Sequence, residues 1–194
     1  MQASERKART FGPTDLAEVL RGRRSVNFFE PEPVGTEVLL EAIELARWAP
    51  NHRLTEPWRF YVLGEQTADA MARYAAEFER ATKGERAAAL RLERLSAIPG
   101  NFVLTSRRAD DEVLERENYA ACCCAVQNLM LYLWQRGIGV KWTTGAVTRE
   151  RGFYDLLGID PEAEHVVGFF WYGRPRAVPT QKRREVAEIV IEKP

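Results

Sequence analysis

The sequence predicts an α+β fold in which a central mixed or antiparallel sheet is flanked by helices, with one long helix at the middle of the molecule. Three observations carry this expectation. The stretch from about Glu112 to Arg136 holds the longest helical pattern in the chain, stopped by Gly137, and between Tyr119 and Trp134 it is apolar on nearly every side. Separate short runs of β-forming residues stand at Phe60–Leu63, Phe102–Leu104 and His165–Tyr172. No Gly-x-Gly-x-x-Gly follows a strand, which argues against a Rossmann dinucleotide site.

A chain of 194 residues, 45% of them apolar, suits one domain with an ample core. No repeat, low-complexity segment or clear linker divides it, so 1–194 is read as a single domain with 1–12 as a mobile, basic arm. Lys plus Arg and Asp plus Glu number 28 each, so no overall field draws nucleic acid or a membrane, and any anion site must be local. No apolar run approaches the ~20 residues that span a bilayer, and the N-terminus lacks a signal peptide's apolar stretch. The expectation is a cytoplasmic protein. Cys122, Cys123 and Cys124 are consecutive on a helix, where adjacent side chains diverge; they cannot converge on one metal and read as small apolar residues in a reduced compartment.

In chain order, Thr14 can cap a short helix from Asp15 to Leu20, ended at Gly22. Val38, Leu39, Ala42, Ile43, Leu45, Ala46 and Ala49 recur at helical spacing until Pro50 stops them. Phe60–Leu63, closed by Gly64, reads as a buried strand. Gln66–Lys83 and Glu85–Ala97 are helices broken by Gly84; Arg86, Arg91 and Arg94 on the second are taken as a solvated face. Pro99-Gly100 makes a turn before the strand at Phe102–Leu104. After the long helix come a strand and turn at Gly137–Gly145, a short helix at Arg149–Leu157 ended by Gly158, and the strand beginning at His165, taken as its polar edge. A helix apolar all round must be covered all round, and a dimer partner is the natural cover for the side its own core leaves bare.

Two stretches carry chemistry. Arg23-Arg24-Ser25 follows a helix end and offers two planar forks and a hydroxyl, groups that hold a phosphate, although alone such a cluster is more often a solvated patch. The segment Ala49-Pro50-Asn51-His52-Arg53-Leu54-Thr55-Glu56-Pro57-Trp58 places a histidine and a carboxylate between two ordered elements, the usual position of a ligand loop. Alone, His52 is most often a solvated histidine and Trp58 a core anchor.

Taken together, Arg23-Arg24-Ser25, Ala49-Pro50-Asn51-His52, Pro57-Trp58, Trp142-Thr143-Thr144-Gly145 and Tyr172-Gly173-Arg174-Pro175 resemble the nitroreductase-like flavoproteins over roughly Asp15 to Val190, and most of all the short bacterial members. The resemblance implies FMN held at a homodimer interface. It places Arg23, Arg24 and Ser25 by the phosphate and ribityl chain, His52 and Glu56 on the flavin of the other subunit, and Thr143, Thr144 and Gly145 beside the ring. The backbone N–H of Thr144 or Gly145 is the candidate donor to N5, with glycine allowing close approach; taken alone, Thr-Thr-Gly is an ordinary turn. Lys182 and Arg184 in the tail are carried over to the phosphate. Asn27 stands where many relatives carry Lys or Arg near the pyrimidine edge, and Glu56 where many carry Gln. An asparagine cannot neutralise charge on the reduced flavin, so the expectation is a lower potential, raised by Asn27→Lys.

The implied activity is ping-pong transfer of hydride from NADH or NADPH through FMN to a small-molecule acceptor such as a nitroaromatic, quinone or enone, with no side chain needed as catalytic residue. With two histidines in different settings, neither a triad nor a zinc site is expected. The alternatives are a family branch with another flavin reaction (dehalogenation, dehydrogenation of peptides, flavin breakdown), a flavin-binding or flavin-buffering protein without turnover, and a purely structural helical protein.

Overall fold

The computed structural model describes residues 15–194, so the arm assigned to 1–12 and the cap assigned to Thr14 lie outside the described residues. Helix α1 (Leu16–Gly22) is capped by Asp15, whose Oδ1 accepts the Ala17 N–H at 3.1 Å. Helix α2 (Thr36–Ala46) stops three residues before the expected Ala49. The residue before a proline avoids the helical region, and here the chain leaves the helix through a turn in which the Ala49 N–H bonds the Ala46 carbonyl at 3.0 Å.

Strand β1 (Trp58–Val62) is followed by the packed helices α3 (Glu65–Lys83) and α4 (Glu85–Ser96), strand β2 (Gly100–Arg107), helix α5 (Glu112–Gln135) and strand β3 (Gly139–Thr143). A 3-10 turn (Ala146–Arg149), helix α6 (Arg151–Leu157) and strand β4 (Glu164–Gly173) complete the ordered frame. The strands form one four-stranded sheet in the order β1-β2-β4-β3, with every ladder antiparallel. A parallel bridge from Ser25 to Val140 ties the segment after α1 to β3.

Side chains alternate across the central strands and divide the core in two. Phe102, Leu104, Phe170 and Tyr172 face α2 and α5, meeting Leu39, Ala42, Cys122, Val126, Leu129 and Leu133. Val103, Phe169 and Trp171 face the other way, toward Met71, Ala72 and Ala75 of α3, Leu95 of α4 and Phe153 of α6. The result is a helix–sheet–helix sandwich in which β2 and β4 are covered on both faces.

Several expectations change against this frame. The run at Phe60–Leu63 is not a buried strand: β1 lies at the sheet edge, pairs on one side only, and leaves Val62 exposed. A short β-forming run does not distinguish an edge from a centre. Gly100 belongs to β2 instead of a turn, and α6 begins at Arg151, two residues later than expected. Arg86 is solvated as expected, but Arg91 and Arg94 turn their guanidinium groups over the Trp171 ring, with centroid distances of 5.5 and 5.3 Å. The cysteines diverge as helical geometry requires, Cys122 buried and Cys124 exposed; burial pushes the Cys122 thiol up to about 12.

Two features with no sequence signal fix the sheet. Glu164, buried at the start of β4, accepts from Arg59 at 2.5 Å, Tyr61 at 3.0 Å and Thr105, tying β1 and β2 to the central strand. Gly168 lies under Trp142, whose Nε1 donates to the Val167 carbonyl at 3.0 Å, and a Cβ at Gly168 would overlap the indole. Gly168→Ala is therefore expected to cost about 1–3 kcal/mol by overpacking, seen as a lower denaturation midpoint in urea at unchanged m value.

Candidate functional site

The end of α1 builds the first part of the site. Arg23 is its C-cap, with its N–H bonded to the Val19 carbonyl at 2.9 Å, and its backbone then turns extended toward β3. The guanidinium is drawn inward until Nη1 is buried, and among the described residues that atom has no hydrogen-bond partner. Its pKa is lowered first by burial and then by the positive charges of Arg24 and Arg183. A buried donor left unpaired beside further cations is costly unless an anion takes it.

Arg24 is engaged with its own helix end in the single chain. Its Nη1 donates to the Arg21 carbonyl at 2.5 Å and the Arg23 carbonyl at 2.8 Å, so in the chain alone it closes the end of α1. Ser25 is exposed and registered on β3 through its bridge to Val140, with the Val26 N–H bonding the Val140 carbonyl at 3.2 Å. Asn27 is thereby held beside the same strand, where its Oδ1 accepts from Lys141 Nζ at 2.5 Å and from Arg94 Nη2 at 3.5 Å.

The end of β3 supplies the second part. Thr143 donates through Oγ1 to the Phe169 carbonyl at 2.7 Å, which directs this side chain into the sheet. The Thr144 carbonyl accepts from Arg149 at 3.1 Å, and the Gly145 carbonyl accepts from the Thr148 N–H at 3.0 Å and Oγ1 at 2.9 Å. The carbonyls are thus committed, while the N–H groups of Thr144 and Gly145 have no partner among the described residues. A Cβ at Gly145 would meet nothing within 4 Å, so open space lies over that amide. Arg23, Ser25, Asn27 and this turn are therefore gathered along one edge of β3.

The loop from Asn51 to Glu56 lies elsewhere. Asn51 accepts the Glu56 N–H at 2.6 Å and donates to Thr55 at 3.1 Å, and Thr55 donates to the buried Asn118 of α5 at 2.6 Å. Arg53, Leu54 and Glu56 take left-handed backbone, with φ of 59°, 49° and 45°. His52 and Glu56 are exposed, and within one chain no hydrogen bond or ion pair among the described residues joins them to the Arg23–Asn27 segment or the Gly145 turn. In the tail, Lys182 and Arg184 are exposed; the tail cation felt by Arg23 is Arg183, which lies between the two that were expected.

Beside Asn27 a cleft of about 570 Å³ opens between the chain after α1 and α4, lined by Phe28, Pro31, Leu90, Arg94, Ile98 and Arg176. Sequence reasoning missed Lys141 and Arg94 here. An isolated lysine among β-formers has no signature of its own, and the helical face that presents Arg94 to Trp171 is fixed only by tertiary packing.

The Nitroreductase family model matches residues 20–174. YfhC of Bacillus subtilis (strain 168), provisionally named an NAD(P)H nitroreductase, is 30% identical over 174 residues, covering 87% of this chain and 89% of that protein. A nitroreductase-like family protein from Bacillus cereus has a structure similar to this one, with a TM-score of 0.83 at 29% identity over 94% of this chain and 98% of that chain. A provisionally named nitroreductase from Desulfovibrio desulfuricans, solved in complex with FMN, shares the fold with a TM-score of 0.74 at 23% identity over 95% and 99% of the two chains.

Proposed function

The chain belongs to the Nitroreductase family, and on that premise we propose that it is an FMN-dependent oxidoreductase acting as a homodimer, with NADH or NADPH as reductant and an electron-poor small molecule as acceptor. The observation that carries the reading is the buried, unpaired Arg23 Nη1, set beside Arg24 and Arg183 at a helix end. A cofactor phosphate fits it in charge and in hydrogen-bonding capacity. When bound, FMN supplies two-electron chemistry, accepting hydride from the nicotinamide and passing it to the acceptor. For a quinone acceptor one NAD(P)H and one proton are consumed per hydroquinone formed.

The protein's part is to hold, orient and shield. Arg23 takes the phosphate, with Arg24 closing the helix end behind it. Lys182 and Arg184 share the exposed tail with Arg183 and stand as further candidates for the phosphate. Ser25 offers its exposed hydroxyl to the polyol chain. Thr143 anchors the end of β3, and the amides of Thr144 and Gly145, without partners among the described residues, are the candidate donors to the ring, with no side chain on Gly145 to intervene. No side chain in the group is set as an acid or base.

The dimer reading rests on exposed apolar surface. Leu16 and Leu20 on α1, Leu40, Leu45 and Trp48 on and after α2, and Val113 on α5 are open in the single chain. On α5 the outward stripe of Ala120, Cys124 and Gln127 carries no charge. A second copy covering this surface brings His52 and Glu56, otherwise remote, within reach of the other chain's site.

An anaerobic visible spectrum of the purified protein with FMN, recorded before and after NADH and then NADPH, tests the proposal. Flavin bands that survive gel filtration and bleach with a nicotinamide are expected. Bands that persist with both reductants would leave a flavin-binding protein without this turnover, and loss of all flavin on gel filtration would remove FMN from the account.

A further inference from the structure

Arg91, Arg94 and Lys141 come from two elements on one side of the sheet and surround a single indole. Their charged groups lie 5.5, 5.3 and 4.9 Å from the Trp171 ring centroid. None forms an ion pair with a carboxylate among the described residues, although surface ion pairs are common elsewhere in the chain. Burial lowers Lys141, with Arg94 and Arg91 adding repulsion, and burial also lowers Arg91, where Glu79 opposes the shift. The π face of Trp171 offsets part of this cost. It is not an anion, so the partly buried Lys141, beside the exposed Arg94, has no carboxylate paired with it among the described residues.

The cluster has an outlet. Lys141 and Arg94 both donate to Asn27 Oδ1, at 2.5 and 3.5 Å, which leaves the Asn27 amide nitrogen as the outward donor of a polarised group. Asn27 itself is exposed and shares the β3 edge with Arg23 and the Gly145 turn. A flavin that has received hydride at N5 carries its negative charge on N1 and the C2 carbonyl, so charge near that edge tunes its electronics.

We infer that Lys141 and Arg94, acting around and through Asn27, supply the positive charge for the pyrimidine edge of the reduced flavin that position 27 itself lacks. The inference rests on the FMN-dependent reading above. It reverses the expectation of a potential left low by asparagine, because the missing cation is provided from β3 and α4. Lys141 and Arg94 are thereby positioning residues for charge on the cofactor, with both cationic groups set over the Trp171 ring.

The test is the two-electron reduction potential of the reconstituted holoprotein against a reference dye, for wild type, Lys141→Met, Lys141→Arg and Arg94→Met. Lys141→Met is expected to lose about tenfold in its preference for reduced over oxidised FMN, a fall of about 30 mV for a two-electron couple. Arg94→Met should shift in the same direction by less, and Lys141→Arg should restore the wild-type value. Asn27→Lys, which adds a cation to an occupied cluster, should raise the potential little. An equal loss of affinity for both oxidation states, leaving the potential unmoved in Lys141→Met and Arg94→Met, overturns the inference and points to an acidic occupant of the adjoining cleft. A wild type that takes up no FMN overturns the reading beneath it as well, and is told apart at once by the missing flavin bands.

Discussion

Arg23→Ala is expected to weaken FMN binding by about 1.5–3 kcal/mol, or roughly ten- to 150-fold in Kd, the range for losing a hydrogen bond to a charged group. Arg23 is singled out because its Nη1 is buried and unpaired while its neighbour's fork is already committed to the Arg21 and Arg23 carbonyls. Arg24→Ala should therefore affect binding less and α1 stability more. The FMN-free Arg23→Ala protein should be no less stable than wild type, since truncation relieves repulsion from Arg24 and Arg183. Fluorescence titration of FMN, with melting of the apo and holo forms, separates these effects. Unchanged affinity would strike Arg23 from the phosphate site.

Phe170→Ala is expected to be the most damaging single truncation of the core, costing about 3–5 kcal/mol. Phe170 is fully buried in the central strand β4, stacked on Phe102 with centroids 4.6 Å apart and planes 2° from parallel, and its other neighbour is Trp142 at 5.3 Å. The lost ring would leave a cavity between Phe102 on β2 and Trp142 on β3. Urea denaturation at fixed protein concentration measures the loss, and a cost near 1 kcal/mol would mean that the stack is not what joins the sheet to α5.

The sequence made α5 plain because an apolar pattern sustained over many turns has no other reading, and glycines marked the ends of several helices. Strand centrality was hidden: Phe60 and Phe102 sit in equally β-forming runs, yet one lies on an edge and the other is fully buried. The resemblance grouped the Arg23–Asn27 and Thr143–Gly145 segments, and the bridge from Ser25 to Val140 shows that the fold sets stretches so distant in sequence beside one strand. The charge on that edge was not legible. Arg94 sits in a helix whose charges all look solvated, and it is tertiary contacts, Trp171 for both it and Arg91 and Phe28 and Asn27 for Arg94 alone, that set their direction. Arg183 was missed because three adjacent tail cations look alike until one is set beside Arg23.

The left-handed backbone at Arg53, Leu54 and Glu56 bears on how the protein can be made hardier. Such conformations cost about 1–3 kcal/mol at each non-glycine residue, and glycine adopts them without a Cβ penalty. The single chain therefore gives up thermal resistance at these positions, and at Leu54 it also leaves a large apolar side chain 83% exposed. A search for heat-tolerant variants scored on isolated subunits should accumulate glycines here, whereas one scored on the assembled, cofactor-loaded form should keep the native side chains. The loop is thus a point where selection for durability and selection for work pull the same residues in opposite directions.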